Sequence, residues 1–403
     1  MKSEWKESTI EQVCALVTDG AHYSPPSVES GEYMVSVKDF TAYGFDFTDC
    51  RKISKEEYNK LYEAGCVPQK NDILVGKDGA RFFEDIILYK QEEKPALLSS
   101  IAILRVDENQ IFPAYFYYYL KSPDVKKDVR DNYGSGSAIP RVVLRDFKRM
   151  PIFYPPLPVQ RKIASILSDL DDKIETNNAI CRNLEEQART LYAQWYDKRK
   201  NECHWVPLES VASINPETYS VKEKWDYVNY LDTGNITDGV ISSIQKIDLS
   251  CDPLPSRARR KIKAGDVVFS TVRPNQRHLG IIHSPAPYML VSTGFTVVRS
   301  NRDDICNELI YLLLSDESFV EKMQQIGEQS VSAYPSVKST DIATCQIPFM
   351  DTMDYSQMQN VICSMFAQIA SLQEENRKLS NIRDSLLPKL MSREFSFNIK
   401  ILY

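Results

Sequence analysis

The chain has 403 residues, with 49 basic and 55 acidic side chains and a formal net charge of −6. This length predicts about two to three domains, each with its own core, and the acidic balance argues against a uniformly positive surface that binds nucleic acid without specificity. The nine cysteines never lie in the short spacings typical of metal ligands, so we expect neither a disulfide framework nor a zinc site. The sequence shows neither a signal region nor a membrane-spanning apolar run, so we expect a cytoplasmic location.

Residues 1–156 are predicted to form a first domain of mixed α and β structure. The apolar runs DILVG at 72–76 and SIAILRV at 100–106 are bounded by turn residues and predict short strands. The aromatic-rich stretch FPAYFYYYLKSPDVKKDV at 112–129 predicts a helical segment.

A long helix is predicted for residues 157–197. Pro158 suits a first helical turn, and apolar residues recur at alternating spacings of four and three, the pattern of a coiled-coil seam. The predicted seam consists of Ile163, Leu167, Leu170, Ile174, Asn177, Cys181, Leu184, Ala188, Leu191 and Trp195.

The second half of the chain repeats the first with a period of roughly 195 residues. KNDILVGKDGAR at 70–81 corresponds to AGDVVFSTVRPN at 264–275, and LLSSIAILRV at 97–106 corresponds to LVSTGFTVVRS at 290–300. Because further blocks follow in the same order, the repeat predicts a second domain of the same kind over residues 198–350.

A second long helix is predicted for residues 351–391, followed by a tail over 392–403. Its seam contains Ile362, Ile369, Leu372, Asn376, Leu379 and Leu386, with one charged interruption at Arg383. A short linker after the first helix requires the second to run back along it, so we expect an antiparallel pair with Asn177 opposite Asn376. The alternative is that each helix packs only on its own domain.

No catalytic or metal-binding motif is found in the sequence. A P-loop, an HExxH motif, a GxSxG elbow and a Rossmann glycine loop are all missing. The stretch YSPPS at 23–27 lacks the aromatic residue with which amino-methyltransferases stack a flipped base, so we interpret it as a turn. We therefore expect no catalytic residues, no metal ligands and no cofactor in this chain.

The block from Gly134 to Tyr196 carries a family resemblance. Its PPLP entry, the QRKI helix start and the NLEEQARTL continuation resemble specificity subunits of type I restriction-modification systems. The second copy, ending in IRDSLLPKLMSREF, resembles the C-terminal repeat of that family. The order of parts extends the resemblance over essentially the whole chain.

The resemblance implies a non-catalytic subunit of the α+β class. It implies two tandem mixed α/β target recognition domains, held apart by an antiparallel two-helix coiled coil with a pseudo-twofold internal repeat. Each domain would read one half of an asymmetric, bipartite site on double-stranded DNA. Modification subunits would bind the helices and methylate adenine, and restriction subunits would join them for translocation and cleavage. S-adenosylmethionine, ATP and magnesium are expected on those partner subunits, and no membrane is involved.

Polar and basic side chains in corresponding loops of the two domains are the predicted DNA contacts. They include amides and guanidinium groups that form paired hydrogen bonds to base edges, with basic neighbours for phosphates. The residues are Lys77, Arg81, Ser135, Ser137 and Arg141 in the first domain, and Arg273, Asn275, Gln276, Arg277, Tyr334 and Lys338 in the second. Basic clusters at 141–149 and 257–263 are compatible with either DNA contacts or ordinary solvated faces.

Two other functional classes stay open at this point. One is a coiled-coil scaffold whose end domains bind proteins, which the negative net charge would suit. The other is a lone DNA-modifying enzyme, which the missing motifs disfavour.

Overall fold

The computed structural model describes residues 5–79, 81–134, 140–330, 334–349 and 355–392. The chain divides into two compact units. Unit 1 comprises residues 1–176 and 376–403, and unit 2 comprises residues 177–375. Within the described ranges, no helix is long and apolar enough to cross a membrane.

Unit 1 contains short strands and helices in alternation. Its strands are β1 (Lys6–Thr9), β2 (Cys14–Asp19), β3 (Glu32–Val35), β4 (Lys52–Ile53), β5 (Ile73–Gly76), β6 (Ile86–Leu88), β7 (Ala96–Leu97), β8 (Ile101–Val106) and β9 (Pro151–Tyr154). Its helices are α1 (Ile10–Val13), α2 (Lys55–Glu63), α3 (Pro113–Lys121), α4 (Pro123–Asn132), α5 (Leu144–Arg149) and the start of α6 (Leu157–Arg199). A single 3₁₀ turn spans Val37–Asp39.

Unit 2 has the same alternation with more strands. They are β10 (His204–Pro207), β11 (Ala212–Ile214), β12 (Tyr227–Leu231), β13 (Ile236–Thr237), β14 (Val240–Ile241), β15 (Gln245–Asp248), β16 (Ala258–Lys261), β17 (Asp266–Ser270), β18 (Leu279–Ile282), β19 (Met289–Ser292), β20 (Phe295–Ser300) and β21 (Gln346–Phe349). Its helices are the part of α6 from residue 177 onward, α7 (Asn307–Leu314), α8 (Glu317–Glu328), α9 (Ser339–Ala343) and most of α10 (Tyr355–Met391). The 3₁₀ turns are Leu208–Ser210, Val221–Glu223, Thr233–Asn235 and Pro274–Gln276.

The two units repeat one sheet topology. The order β2-β8-β5-β6 in unit 1 corresponds to β11-β20-β17-β18 in unit 2, and both four-stranded sheets are antiparallel. A second, mixed sheet has the order β4-β3-β7 in unit 1 and β15-β12-β19-β16 in unit 2, with the β3–β7 and β12–β19 pairs parallel. The strands predicted from DILVG, SIAILRV and their second copies are β5, β8, β17 and β20. Both units therefore have the mixed α and β structure expected from the sequence.

The predicted helical segment at 112–129 is two helices rather than one. α3 ends and α4 begins at Ser122, whose backbone is extended at φ −63° and ψ 142°. Pro123 explains the break, because a proline disfavours helical geometry at the residue before it.

The same buried ion pair supports the antiparallel sheet of each unit. In unit 1, Arg105 on β8 donates two hydrogen bonds of 2.8 Å to Asp72, which is 1% exposed. In unit 2, Arg299 on β20 donates bonds of 2.6 and 2.7 Å to the fully buried Asp266. Two parallel hydrogen bonds fix both the distance and the relative orientation of the guanidinium and carboxylate groups. Because both units contain this pair, the repeat includes individual side chains as well as strand order.

The predicted seam residues of the long helices all face protein. Ile163, Leu167, Ile174, Asn177, Ile362 and Ile369 are buried, and Leu170, Leu184, Leu191, Leu372, Asn376, Leu379 and Leu386 are half-buried. α6 runs two residues beyond the predicted end at 197, and α10 continues through Pro388 to Met391. Residues 351–354, the predicted start of the second helix, and residue 350, the predicted end of the second domain, lie outside the described residues.

Each unit has a core to which both long helices contribute. In unit 1, Ile163 and Leu167 of α6 share one apolar cluster with Leu387 and Leu390 of α10. In unit 2, Ala188 of α6 shares a cluster with Met358, Ile362, Phe366 and Ile369 of α10. Within unit 2 the direction follows from two contacts: Asn177 bonds to Glu375, and Cys181 Sγ, one turn later on α6, bonds to the carbonyl of Ile369, earlier on α10, so these segments are antiparallel. The alternative of each helix packing only on its own domain is therefore wrong.

Asn177 is buried within unit 2. Its side chain is 0% exposed, and Nδ2 donates a 2.8 Å hydrogen bond to Glu375 on α10. The structure thus places a polar contact at this level of the helix pair, but with Glu375. The pairing of Asn177 with Asn376 stays a prediction.

The charged interruption of the second seam has a partner in unit 1. Arg383 Nη1 donates a 2.7 Å bond to Asp171 on α6, and Tyr118 donates a 2.8 Å bond to the other oxygen of the same carboxylate. The Asp171 side chain is 6% exposed and that of Arg383 is 21% exposed. A cation in the seam is therefore compensated by an anion on the facing helix.

Replacement of Arg383 by leucine should destabilise unit 1, although it completes the apolar seam. The expected loss is up to about 3 kcal/mol of unfolding free energy, since Asp171 would stay buried without its cation. The double variant Asp171→Leu/Arg383→Leu should recover much of that loss. Urea unfolding followed by circular dichroism provides the measurement, with Lys389→Leu at an exposed position of α10 in the same unit as the control. An Arg383→Leu protein as stable as the original would contradict the role given to the pair.

Candidate nucleic-acid interface

Backbone pairing joins the two predicted contact loops of unit 1. Val142 N donates a 3.0 Å hydrogen bond to Lys77 O in the loop after β5. Gly79 N in that loop donates a 2.9 Å bond to Pro140 O. Asp78 and Arg141 form an antiparallel bridge between them. Arg81 and Arg141 thus belong to adjoining segments, whereas Ser135 and Ser137 lie outside the described residues.

Unit 2 joins its predicted loops in the same way. Val337 N donates to Thr271 O (2.8 Å), Arg273 N donates to Pro335 O (2.8 Å), and Val272 is bridged to Ser336. The turn with Arg273, Asn275, Gln276 and Arg277 therefore lies beside the segment with Tyr334 and Lys338. Both units present one composite loop surface, built at the same place on the repeated fold.

Lys77 is not presented to solvent. Its side chain is 8% exposed, with Nζ 3.3 Å from Asp19 Oδ2 and 3.7 Å from Asp78 Oδ1. A lysine buried between two carboxylates fastens the loop to the end of β2, so in this conformation its ammonium is not placed for a phosphate or a base. The sequence did not reveal this, because Asp19 lies far from Lys77 along the chain.

The exposed cations of the unit 1 surface are arginines. Arg81 is 76% exposed and lies 2.8 Å from Asp85, whose carboxylate raises the pKa of Arg81. Arg141 is also exposed. Guanidinium groups are suited to paired hydrogen bonds with phosphate oxygens.

His22 belongs to the same surface and was missed by the sequence analysis. Its Nε2 lies 3.1 Å from Asp19, the carboxylate that also holds Lys77, and the ring is 77% exposed. No motif surrounds this histidine, so only the folded position of Asp19 beside the loop reveals it.

The unit 2 turn is held in an uncommon backbone conformation. Arg273 and Arg277 flank the 3₁₀ turn Pro274–Gln276, with φ values of +48° and +52°. Side chains with a Cβ rarely adopt this left-handed region, and residues in it cluster at functional sites where the surroundings enforce it. The two arginines therefore bound a strained and defined turn.

Each of the two arginines has a distinct set of contacts. Arg277 donates a 2.6 Å bond to Asp238 and a 3.0 Å bond to the carbonyl of Ser315, so it braces the turn against the rest of unit 2. The guanidinium carbon of Arg273 lies 4.2 Å from the ring centre of Tyr334, which is 56% exposed. This cation–π contact orients Arg273 without burying it.

Two exposed amides lie between these arginines. Asn275 and Gln276 have exposed side chains, while the intervening backbone is held by a 3.3 Å bond from Asn275 N to Gln324. Lys338 is exposed immediately before α9, and its backbone N–H donates a 2.7 Å hydrogen bond to the carboxylate of Asp341. Asparagine and glutamine amides can bind the adenine edge in the major groove with two hydrogen bonds, so the turn has the chemistry of direct base reading.

Several residues of the basic clusters noted in the sequence form ion pairs with acidic side chains. Lys263 lies 2.6 Å and Arg299 lies 2.8 Å from Glu217, and these hydrogen bonds lower the pKa of Glu217 to about 2. Lys148 pairs with Glu11 at 3.2 Å, and Arg149 pairs with Asp146 at 3.0 Å. For Lys148, Arg149 and Lys263 this favours the interpretation of ordinary solvated faces, whereas Arg141 belongs to the loop surface described above.

Comparisons with known proteins agree with this arrangement. Residues 2–186 match the family described as the type I restriction modification DNA specificity domain. The MjaVIII specificity subunit of Methanocaldococcus jannaschii is 24% identical over 371 residues, 86% of this chain and 83% of that protein. The HindI specificity subunit of Haemophilus influenzae is 20% identical over 179 residues, 43% of this chain and 39% of that protein.

A solved structure shows the same fold over the full length. The crystal structure of the type I restriction-modification S subunit from M. genitalium superposes with a TM-score of 0.53, at 15% identity, and covers 98% of this chain and 97% of that one. The family match therefore covers residues 2–186, and over most of its length the chain is similar to type I restriction-modification specificity subunits.

Proposed function

We propose that this chain is the DNA-recognition subunit of a type I restriction-modification complex and reads a bipartite, asymmetric target. Unit 1 and unit 2 act as its two target recognition domains, each placing its composite loop surface against one half-site. The chain itself performs no chemistry on DNA. A cytoplasmic location, where the DNA is, belongs to the same proposal.

The observation that carries this proposal is a repeated scaffold with different side chains at one place. Both units pair the loop after β5 or β17 with the segment before α5 or α9. The exposed groups there are Arg81 and Arg141 in one unit, but Asn275, Gln276 and Tyr334 in the other, where Tyr334 contacts the half-buried Arg273. A protein with identical halves reads a palindrome, whereas two different surfaces on one scaffold suit two different half-sites.

The long helices provide the spacing in this proposal. α6 and α10 would pair along their length as an antiparallel coiled coil that holds the recognition domains apart. Support comes from inside each unit, where segments of both helices share one core, and from unit 2, where those segments are antiparallel. The polar contacts Asp171–Arg383 in unit 1 and Asn177–Glu375 in unit 2 are of the kind that fix such a register.

Modification subunits are proposed to bind the outward faces of these helices. Three apolar side chains remain exposed there: Ile180 at 37%, Val361 at 42% and Ile382 at 47%. Ile180 and Val361 belong to unit 2 and Ile382 to unit 1, so each unit offers an apolar side chain to such a partner. S-adenosylmethionine, ATP and magnesium would then be held by the modification and restriction subunits.

Substitution of Arg273 by alanine should weaken DNA binding by the complex of this chain with its modification subunit. A guanidinium that contacts DNA contributes about 1–3 kcal/mol when it reads a base, and its loss flattens the salt dependence when it binds a phosphate. Fluorescence anisotropy with a target duplex over a range of salt concentrations separates the two roles. Arg302→Ala removes the same charge beside Asp304 and Phe349 and should bind as the original does. Equal weakening by both variants would show that only net charge matters.

The isolated chain should neither methylate nor cleave DNA. Transfer of labelled methyl groups to adenine should begin only when a modification subunit is added, because the chain lacks the glycine-rich cofactor loop. Methyl transfer by the purified chain alone would refute the proposed division of labour.

Insertion of a whole heptad into each long helix, beside Asn177 and Asn376, should lengthen the unread spacer. The seam keeps its phase, and the domains move apart by about 10 Å at 1.5 Å per residue, or about three base pairs. Methylation mapping with the modification subunit should therefore find unchanged half-sites separated by about two to four more base pairs, the range allowing for DNA bending.

The matched control exchanges the first domain and leaves the helices alone. Replacement of residues 1–156 by the corresponding part of another family member should change one half-site and keep the spacer. An active heptad variant with the original spacer would show that the helices do not set the distance.

A further inference from the structure

Two cysteines and a glutamate meet in unit 2 where α10 packs on the start of α7. Cys306 is the residue before α7, Glu308 lies in its first turn, and Cys363 lies on α10. The two sulfur atoms and a carboxylate oxygen all lie within 4.8 Å of one another, and Cys363 Sγ is 3.6 Å from Glu308 Oε2. All three residues are half-buried.

We propose that Cys306, Glu308 and Cys363 bind a zinc ion. Thiolate and carboxylate are zinc ligands, with bond lengths of about 2.3 Å to sulfur and about 2.0–2.2 Å to oxygen. Ligand atoms around a tetrahedral ion are separated by about 3–4 Å, so the Cys363–Glu308 distance already suits a shared ion. Two sulfur ligands select zinc over magnesium and calcium, which prefer oxygen.

The fourth position can be taken by water, as in zinc sites with three protein ligands. The buried Nε2 of His283 has no hydrogen-bond partner among the described residues. The ring centre lies 6.0 Å from that of Phe366, which is one turn beyond Cys363 on α10. His283 is not one of the groups whose ligand atoms lie within 4.8 Å of one another, so the proposed site consists of the three residues above.

The equivalent place in unit 1 has no ligand groups, so the fold itself does not require the cluster. A buried glutamine aligns the two places: Gln160 accepts a bond from Phe112 N (2.8 Å), and Gln359 accepts one from Cys306 N (2.7 Å). Counting from these anchors, the unit 1 counterparts of the three ligands are Phe112, Ala114 and Ala164. Unit 2 therefore carries metal-binding side chains where unit 1 packs an aromatic ring against small residues.

The backbone around the proposed ligands is held independently of a metal. Gln359, one turn before Cys363, also donates a 2.7 Å bond to Asp304 O, so α10 is fixed to the segment that carries Cys306. Ligands on such braced elements lose little freedom on binding. A zinc ion there would add a second link between α10 and the core of unit 2, and its binding energy would add to the stability of the fold.

The test measures metal in the full chain, purified under reducing conditions without chelator from cells grown with added zinc. We expect about one tightly held zinc ion per chain by elemental analysis. Cobalt substitution should give the charge-transfer absorption of thiolate-bound, tetrahedral Co²⁺. Cys363→Ala introduces the residue found at the equivalent place in unit 1 and should fold normally. It should weaken zinc binding by more than about 100-fold, which exceeds the loss expected when a residue that only hydrogen-bonds to a ligand is removed.

The matched control is Cys251→Ala, which removes an exposed thiol of the same unit away from the cluster and should retain zinc and the cobalt spectrum. Three outcomes would overturn the proposal. The first is a wild-type chain without zinc, and the second is equal zinc in wild type and Cys363→Ala. The third is a Cys306–Cys363 disulfide in protein kept reduced, shown by thiol counting.

Discussion

A buried glutamine side chain near the start of each long helix joins that helix to a neighbouring loop, and the cores of both units depend on this connection. Gln160 is fully buried, accepts a bond from Phe112 N and donates to the carbonyls of Gln110 and Pro155. It thereby satisfies the backbone N–H of the residue before α3, which has no side-chain cap. A buried polar group left without partners costs about 1–3 kcal/mol, so the first turn of α6 is held to this loop. Ile163 and Leu167 then face the core of unit 1 by helical periodicity alone.

The parts of the fold that could be predicted from sequence are those with a local period. Ile163, Leu167, Ile362 and Ile369 were found because a seam repeats every few residues, and the strands were found because apolar runs end in turn residues. The break at Ser122 could also have been read from Pro123. Arg383 looked like a defect in the seam, because its partner Asp171 belongs to the other helix, and sequence spacing says nothing about charges on facing helices.

The parts of the candidate sites that could not be predicted depend on residues far apart in the chain. Lys77 has the type and loop position of a DNA contact, and only the fold reveals that Asp19 and Asp78 bury it. His22 became relevant for the same reason. Cys306 and Cys363 have none of the short spacings by which metal ligands are recognised, because one precedes a helix and the other lies on a different helix packed against it. Ser135 and Ser137 lie outside the described residues and stay predictions.

The division of the chain has a consequence for the order in which the protein folds during synthesis. Unit 2 is one continuous segment, residues 177–375, whereas unit 1 consists of residues 1–176 and the part of α10 beyond 375. Leu387 and Leu390 belong to the unit 1 core. On the ribosome, domains usually fold from the N-terminus onward, yet here the first domain to emerge cannot close its core until residues near 390 have been made. Unit 2 is complete earlier, so the part of the chain translated first is the last to reach its final packing.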